Sequence, residues 1–389
     1  MHLQLKRTIW RPIVLIVLAA LMLIFLGVIG RSSAPLVQVP TSPGEETVEG
    51  RVLAVLQESD DDLNGVQQHY QKLWVIILNG NRAGRAVNID TAAQGFAAAD
   101  AAYRVDDEVQ IGHFVRPDGS DVYVITDPIR LGTLAALLVI FVVLIVVVSH
   151  WQGLRSLAGM AISLYVITQF ILPMILAGHN PVFITIVGAF ASLAITQYLI
   201  YGWSTKSHAA ILGILISLIL TGILASIFVA AARLTGFGSE EVGFLQSVGV
   251  SINPRGLLLA GILIGALGVL DDVTISQASA VWELSAANPA LGIRELYRRA
   301  MNIGRDHIAS TVNTLVLAYV GASLPLLLLF AIYPQPFGQL INREFVAEEI
   351  VQTLVGSLGL VAAVPITTLL AGLFTQRSRT AQVSEVQSD

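Results

Sequence analysis

The sequence predicts a polytopic α-helical membrane protein, with about eight transmembrane helices and a small extracytoplasmic β-barrel-like domain of the OB or SH3-like type. Three observations carry that prediction. Only 13% of the 389 residues are charged and 54% are hydrophobic, where a soluble globular chain carries about 25% charged residues. Uncharged runs of helical length recur along most of the chain. Residues 31–130 break the pattern with short β-branched runs between turn-type residues.

The uncharged runs place the spans. A transmembrane helix needs about 20 mostly apolar residues. Pro12 to Gly30, Leu131 to Leu154, Ser207 to Ala232, Gly256 to Leu270, His307 to Asn342 and Ile350 to Gln376 hold no Asp, Glu, Lys or Arg. Ser156 to Thr205 is equally free of charge but too long for one crossing. Its Gly178-His179-Asn180-Pro181 cluster predicts a turn between two helices. The spans centre near residues 21, 140, 166, 191, 220, 264, 322 and 362. Helices satisfy every backbone polar group within one segment, as lipid demands.

Residues 1–30 read as an N-terminal anchor, with a cleaved signal peptide as the alternative. Residues 31–130 hold a Pro/Ser-rich linker and then five strands: Val48 to Leu56, Leu73 to Leu78, Arg85 to Ile89, Glu108 to Phe114 and Asp121 to Thr126. Asp60-Asp61-Asp62 reads as a solvated acidic turn and Trp74 as a core residue, while His69 and His113 form no metal signature. Residues 131–376 form a seven-helix membrane domain, and 377–389 a disordered cytoplasmic tail. Lys6, Arg7, Arg11, Arg155, Lys206, Arg294, Arg298, Arg299 and Arg377 set the orientation, with both termini cytoplasmic and residues 31–130 outside. Trp10, Trp151, Trp203 and Trp282 fall near the cytoplasmic span ends, as interfacial anchors do.

Composition also excludes whole classes. The chain has no cysteine, hence no disulfide, thiolate nucleophile or Cys-bound zinc. A net charge of −5 rules out a polybasic nucleic-acid binder. There is no P-loop, so nothing binds ATP through one. No cofactor, metal or catalytic residue is assigned.

The polar machinery clusters late in the chain. Asp271 and Asp272 follow Arg255 by enough helix, roughly 24 Å at about 1.5 Å per residue, to sit within the inner leaflet. Acids at that depth are costly and mark function; a helix that starts later would make them ordinary interfacial charges. Asp272, Ser276, Ser279 and Glu283 share one helical face, and so do Asn302, Asp306, Ser310 and Asn313 on the next span. Two such stripes suit the lining of a hydrated pathway, or polar contacts that hold helices together. Arg305 is expected to pair with Asp272 or Asp271, and His307 beside Asp306 to relay protons. Gly261, Gly265 and Gly268 predict close approach of another helix. Pro173, Pro325 and Pro365 predict kinks.

The stretches Leu267 to Leu284 (LGVLDDVTISQASAVWEL) and Gly304 to Leu315 (GRDHIASTVNTL) resemble the YibE/F-like family of bacterial polytopic membrane proteins. The likeness covers roughly residues 128–375. It implies a multi-spanning protein of the bacterial cytoplasmic membrane and supplies no catalytic or binding residue.

The first functional expectation is therefore a secondary transporter or permease for a small solute or ion, with an acidic path between the sixth and seventh spans. A receptor or assembly factor is the alternative, its external domain holding a ligand and its arginines a membrane partner protein or anionic lipid. An intramembrane aspartyl hydrolase ranks last. Adjacent Asp271 and Asp272 point about 100° apart on a helix and cannot share a proton.

Overall fold

A computed structural model describes residues 24, 26–28, 46–63, 66–91, 102–116, 119–247, 249–250, 252–333 and 335–388, the side chains of 61–68 and 378–388 excepted. Most of the first predicted span and the whole Pro/Ser-rich linker lie outside the described residues. Contacts divide the chain into two units, one within Gln38–Val147 and the other built mainly from Val148–Asp389.

The first unit holds the predicted strands as β1 (Glu46–Leu63), β2 (Val66–Ile77), β3 (Ala86–Asp90), β4 (Glu108–Val115) and β5 (Asp121–Pro128). They form one antiparallel sheet in the order β3-β2-β1-β4-β5. Its edge strands β3 and β5 meet, so the sheet curls on itself. Alternate residues point inward, as the period of two requires, and Val52, Leu73, Val75, Ile89, Val109 and Ile111 form a closed apolar core. Register shifts fall between Val52 and Ala54 and between Val55 and Gln57, bending the long β1.

Two expectations fail in this unit. β1 and β2 run on as a hairpin arm, so Asp60 to Asp62 lie in a strand rather than a turn, and Asp60 sits 2.5 Å from His69 Nδ1. The sequence concealed the arm because its residues are mostly polar. Trp74 is not a core residue: it lies on the outward face of β2 and is 38% exposed. Strand alternation explains this, since its neighbours Leu73 and Val75 take the inner face.

The helices are α1 (Leu131–Val166), a π-helical segment Ile167–Ile171, α2 (Leu172–Leu176), α3 (Pro181–Tyr201), α4 (Thr205–Ala231), α5 (Glu240–Ser247), α6 (Pro254–Ala287), α7 (Ile293–Ala322), α8 (Leu324–Ile332), α9 (Phe337–Ile341) and α10 (Glu344–Ser388). The predicted turn at 178–181 is present. Gly178 takes φ +82°, the Asn180 side chain accepts from Phe183 N at 3.2 Å, and Pro181 opens α3.

Among the described residues five helices are long and apolar enough to cross a membrane, or six if α7 and α8 count as one bent span. The first of the eight expected spans lies mostly outside the described residues. The second and third predicted spans fall within one continuous stretch, Leu131–Leu176, interrupted by non-helical angles at His150 (φ 49°, ψ −133°). The seventh is divided by a 62° bend between α7 and α8, where Pro325 lacks an amide hydrogen for the preceding turn. The π-helical segment ends just before Pro173, a local slackening of the kind prolines induce. Pro365 lies inside α10. That helix continues to Ser388, over residues the sequence assigns to a disordered tail.

The bundle packs around α4, α6 and α10. Leu218, Leu263, Leu270 and Leu360 are fully buried there. Close approach comes from α4 and α10: Gly213 faces the Thr367 side chain, and Gly359 faces Thr221. The predicted glycines of α6 do something else. A methyl at Gly261 or Gly268 would meet nothing, and at Gly265 only the Tyr319 hydroxyl and the Gln352 amide. The glycine spacing marks a face of α6 that no helix covers among the described residues.

Candidate polar site in the helical unit

Asp271 and Asp272 lie in the middle of α6 and diverge, as adjacent helical residues must. Asp271 is partly buried and turns toward α3, where Gln197 donates from Nε2 to its Oδ1 at 2.5 Å. Gln197 is 1% exposed, and its Oε1 is buried without a hydrogen-bond partner. Asp272 is exposed and turns toward α7, with Oδ2 3.9 Å from His307 Nε2. That long separation brings the two side chains together without a tight ion pair.

The predicted α6 stripe is real and longer than expected. Gly261, Gly265, Gly268, Asp272, Ser279 and Glu283 recur at i, i+4, i+7, i+11, i+18 and i+22, on one face. All but half-buried Ser279 are exposed, and Ser276 at the margin is half-buried too. Tyr319 of α7 and Gln352 of α10 flank its glycine end, bonded to each other at 3.3 Å. The glycine end of this face presents bare backbone, because Gly261, Gly265 and Gly268 have no side chain to cover it.

The α7 stripe does not face it. Asn302, Asp306, Ser310 and Asn313 are all exposed, on the side of α7 opposite its buried residues Leu296, Ala300 and Gly304. Arg305 does not pair with either aspartate and instead donates to Asn302 Oδ1 at 3.2 Å. The helix turn explains this, since His307 rather than Arg305 shares the inner side of α7. Of the predicted path residues, then, only Asp272 and His307 meet across α6 and α7.

Two amides escaped the sequence reading. Gln197 holds Asp271, and Gln277, 1% exposed, donates to Ala300 O at 2.9 Å and Thr368 Oγ1 at 2.7 Å. Both sit in or beside uncharged runs, and an amide in lipid needs partners as a charge does. Reading amides alongside charges would have found them. Among the described residues no group of three or more His, Cys, Asp or Glu side chains suits a metal. An open groove of 340 Å³ lies elsewhere on α1 and α3, lined by Trp151, Leu154, Arg155, Ala158 and Leu199, with no acid.

Comparison with known families decides the relationship. The model of the YibE/F-like protein family matches residues 137–377, more than half of the chain. The chain belongs to the YibE/F-like family. Both polar stripes and both buried amides of this YibE/F-like protein fall inside the matched region. No curated protein and no solved structure matches it.

Proposed function

We propose that this YibE/F-like protein is a secondary transporter or permease of the bacterial cytoplasmic membrane, with its coupling ion or proton taken by the acids of α6. The observation that carries the reading is the glycine-bearing face of α6, which presents Asp272 beside His307 while Asp271 is tied to buried Gln197. Acids within a span are expensive, and those that persist there mark ion paths and proton relays. The orphaned Gln197 Oε1 and the Asp271 carboxylate supply acceptor oxygens of the kind a small cation or a proton needs.

In this reading the chain crosses eight times, with the break at His150 dividing Leu131–Leu176 into two spans and residues 12–30 forming another. Both termini are then cytoplasmic, in keeping with the positive-inside rule. The β unit lies outside; its strand order and the contact of β3 with β5 suit a five-stranded OB-type barrel. Exposed Trp74, with Leu53 and Leu56 on β1, favours a second role for that unit in holding a ligand or partner.

The test is proton flux into proteoliposomes that carry a trapped pH dye, under an imposed potassium diffusion potential. Asp271→Asn and Asp272→Asn should each reduce flux at least tenfold with unchanged insertion and thermal midpoint. Full flux in the double variant ends the proposal.

A further inference from the structure

The outward face of α7 has a periodicity of its own. Asn302, Asp306, Ala309, Asn313, Val316 and Val320 alternate steps of four and three residues, the spacing of a coiled-coil seam. All six are exposed, diametrically opposite the face that α7 buries against its own bundle. Asp306 and Asn313 make no hydrogen bond or ion pair among the described residues. In the topology proposed above this face lies at membrane depth, since on the inner side of the same helix His307 stands level with Asp272, and Tyr319 with Gly265. A row with two amides and an acid is a poor surface to show to lipid, and polar groups on spans are satisfied by neighbouring helices.

We infer that this seam of α7 is the two-fold interface of a homodimer, in which α7 packs in parallel on α7 of a second copy. The pattern argues for a second copy over any other occupant. An asparagine amide is both donor and acceptor, so it can pair with its own symmetry mate. Asn313 falls at the heptad position where one asparagine sets register and chain number. Arg305 lies next to Asp306 on the seam's flank, so each copy offers the other a cation for its acid. Ala309, between them, lets the backbones approach. Leu26, a buried residue of the stretch before the β unit, packs with Val166, Phe170 and Ile171 and not on this seam.

The absence of cysteine makes the test direct: a single introduced cysteine can form a disulfide only with another molecule. Asn313→Cys and Ala309→Cys are oxidised in native membranes with copper phenanthroline, beside Ile223→Cys on the exposed face of α4 as control. The expected result is a disulfide-linked species of twice the chain mass, at least fivefold more abundant at 313 and 309 than at 223. A scan over 306–320 should peak every three to four residues. Unmodified protein in nanodiscs should have a dimeric mass by light scattering. A monomeric mass, equal cross-linking at 313 and 223, or an adduct with a different protein or none would each overturn the inference.

Discussion

Gln197 on α3 donates its amide hydrogen to the Asp271 carboxylate on α6 at 2.5 Å, while its own Oε1 has no partner. The contact ties two spans far apart in sequence and orients one acid of the pair away from the other. Gln197→Leu keeps the bulk and removes the donor, leaving the carboxylate without its tie. Losing a hydrogen bond to a charged group costs about 1.5–3 kcal/mol. The variant should therefore lower the thermal midpoint in detergent. In the Asp271→Asn background the same change should cost clearly less, and equal losses in both backgrounds would show that the two residues are not coupled.

Gly359 on α10 faces the Thr221 hydroxyl of α4 so closely that a methyl cannot be placed there without displacement. Thr221 is itself held, donating to Ser217 O at 2.7 Å. Gly359→Ala should destabilise by about 1–3 kcal/mol, the usual cost of overpacking. Thr221→Ala in the same chain should restore most of that loss, because it removes the obstructing atoms. Thermal midpoints of the two single variants and the double variant measure the coupling, and strict additivity would rule out the contact.

How much of this was legible beforehand differs between the two units. The five strands follow from β-branched runs, and the turn at 178–181 from Gly, Asn and Pro at positions that demand them. The α6 and α7 stripes were legible too, because a period of 3.6 puts their residues on one face. What a stripe faces was not. Nothing in Asn302 or Asp306 states that Leu296, Ala300 and Gly304 are the residues drawn inward, since that depends on which helices Gln277 and Gly304 bring together. Likewise the spacing of Gly261, Gly265 and Gly268 reads the same whether a helix or an open groove lies above it. Trp74 was misplaced for a different reason: size suggests burial, but strand register decides it.

The β unit should respond to acid through Asp121. Its Oδ1 lies 2.8 Å from Nε2 of buried His113 and 3.3 Å from the Arg82 guanidinium. The His113 hydrogen bond, with help from Arg82, holds the carboxyl below its ordinary range. A depressed folded-state value means the unfolded chain takes up the proton first as pH falls. The stabilisation is thus complete above the ordinary carboxyl range, near pH 4, and drains away as pH falls through the lower folded value. Asp121→Asn should flatten the acid limb of a stability curve for the full chain below about pH 4, with little change in its slope at higher pH. Near-ultraviolet dichroism of the tyrosines, including neighbouring Tyr123, provides the readout. An unaltered acid limb would show that other carboxyls control it.

Gln277 ties three helices through one amide, and its loss should be felt differently from that of a surface charge. From α6 it donates to the Ala300 carbonyl of α7 and to Thr368 Oγ1 of α10, and Thr368 passes its own hydrogen to Val364 O at 2.6 Å. The crossing is close because Gly304 has no side chain: a methyl there would lie 2.5 Å from Val364 Cγ1 and 3.0 Å from Gln277 Oε1. Gln277→Leu fills the same volume but removes both interhelical hydrogen bonds, at about 0.5–1.5 kcal/mol each. Gly304→Ala instead keeps the bonds and forces the helices apart. Both should lower the thermal midpoint, but only the glycine variant should also widen the α6–α7 separation. Spin labels on α6 and α7 would register that widening in a distance measurement. A widened distance in Gln277→Leu with none in Gly304→Ala would reverse the assignment, making the amide the spacer and the glycine incidental.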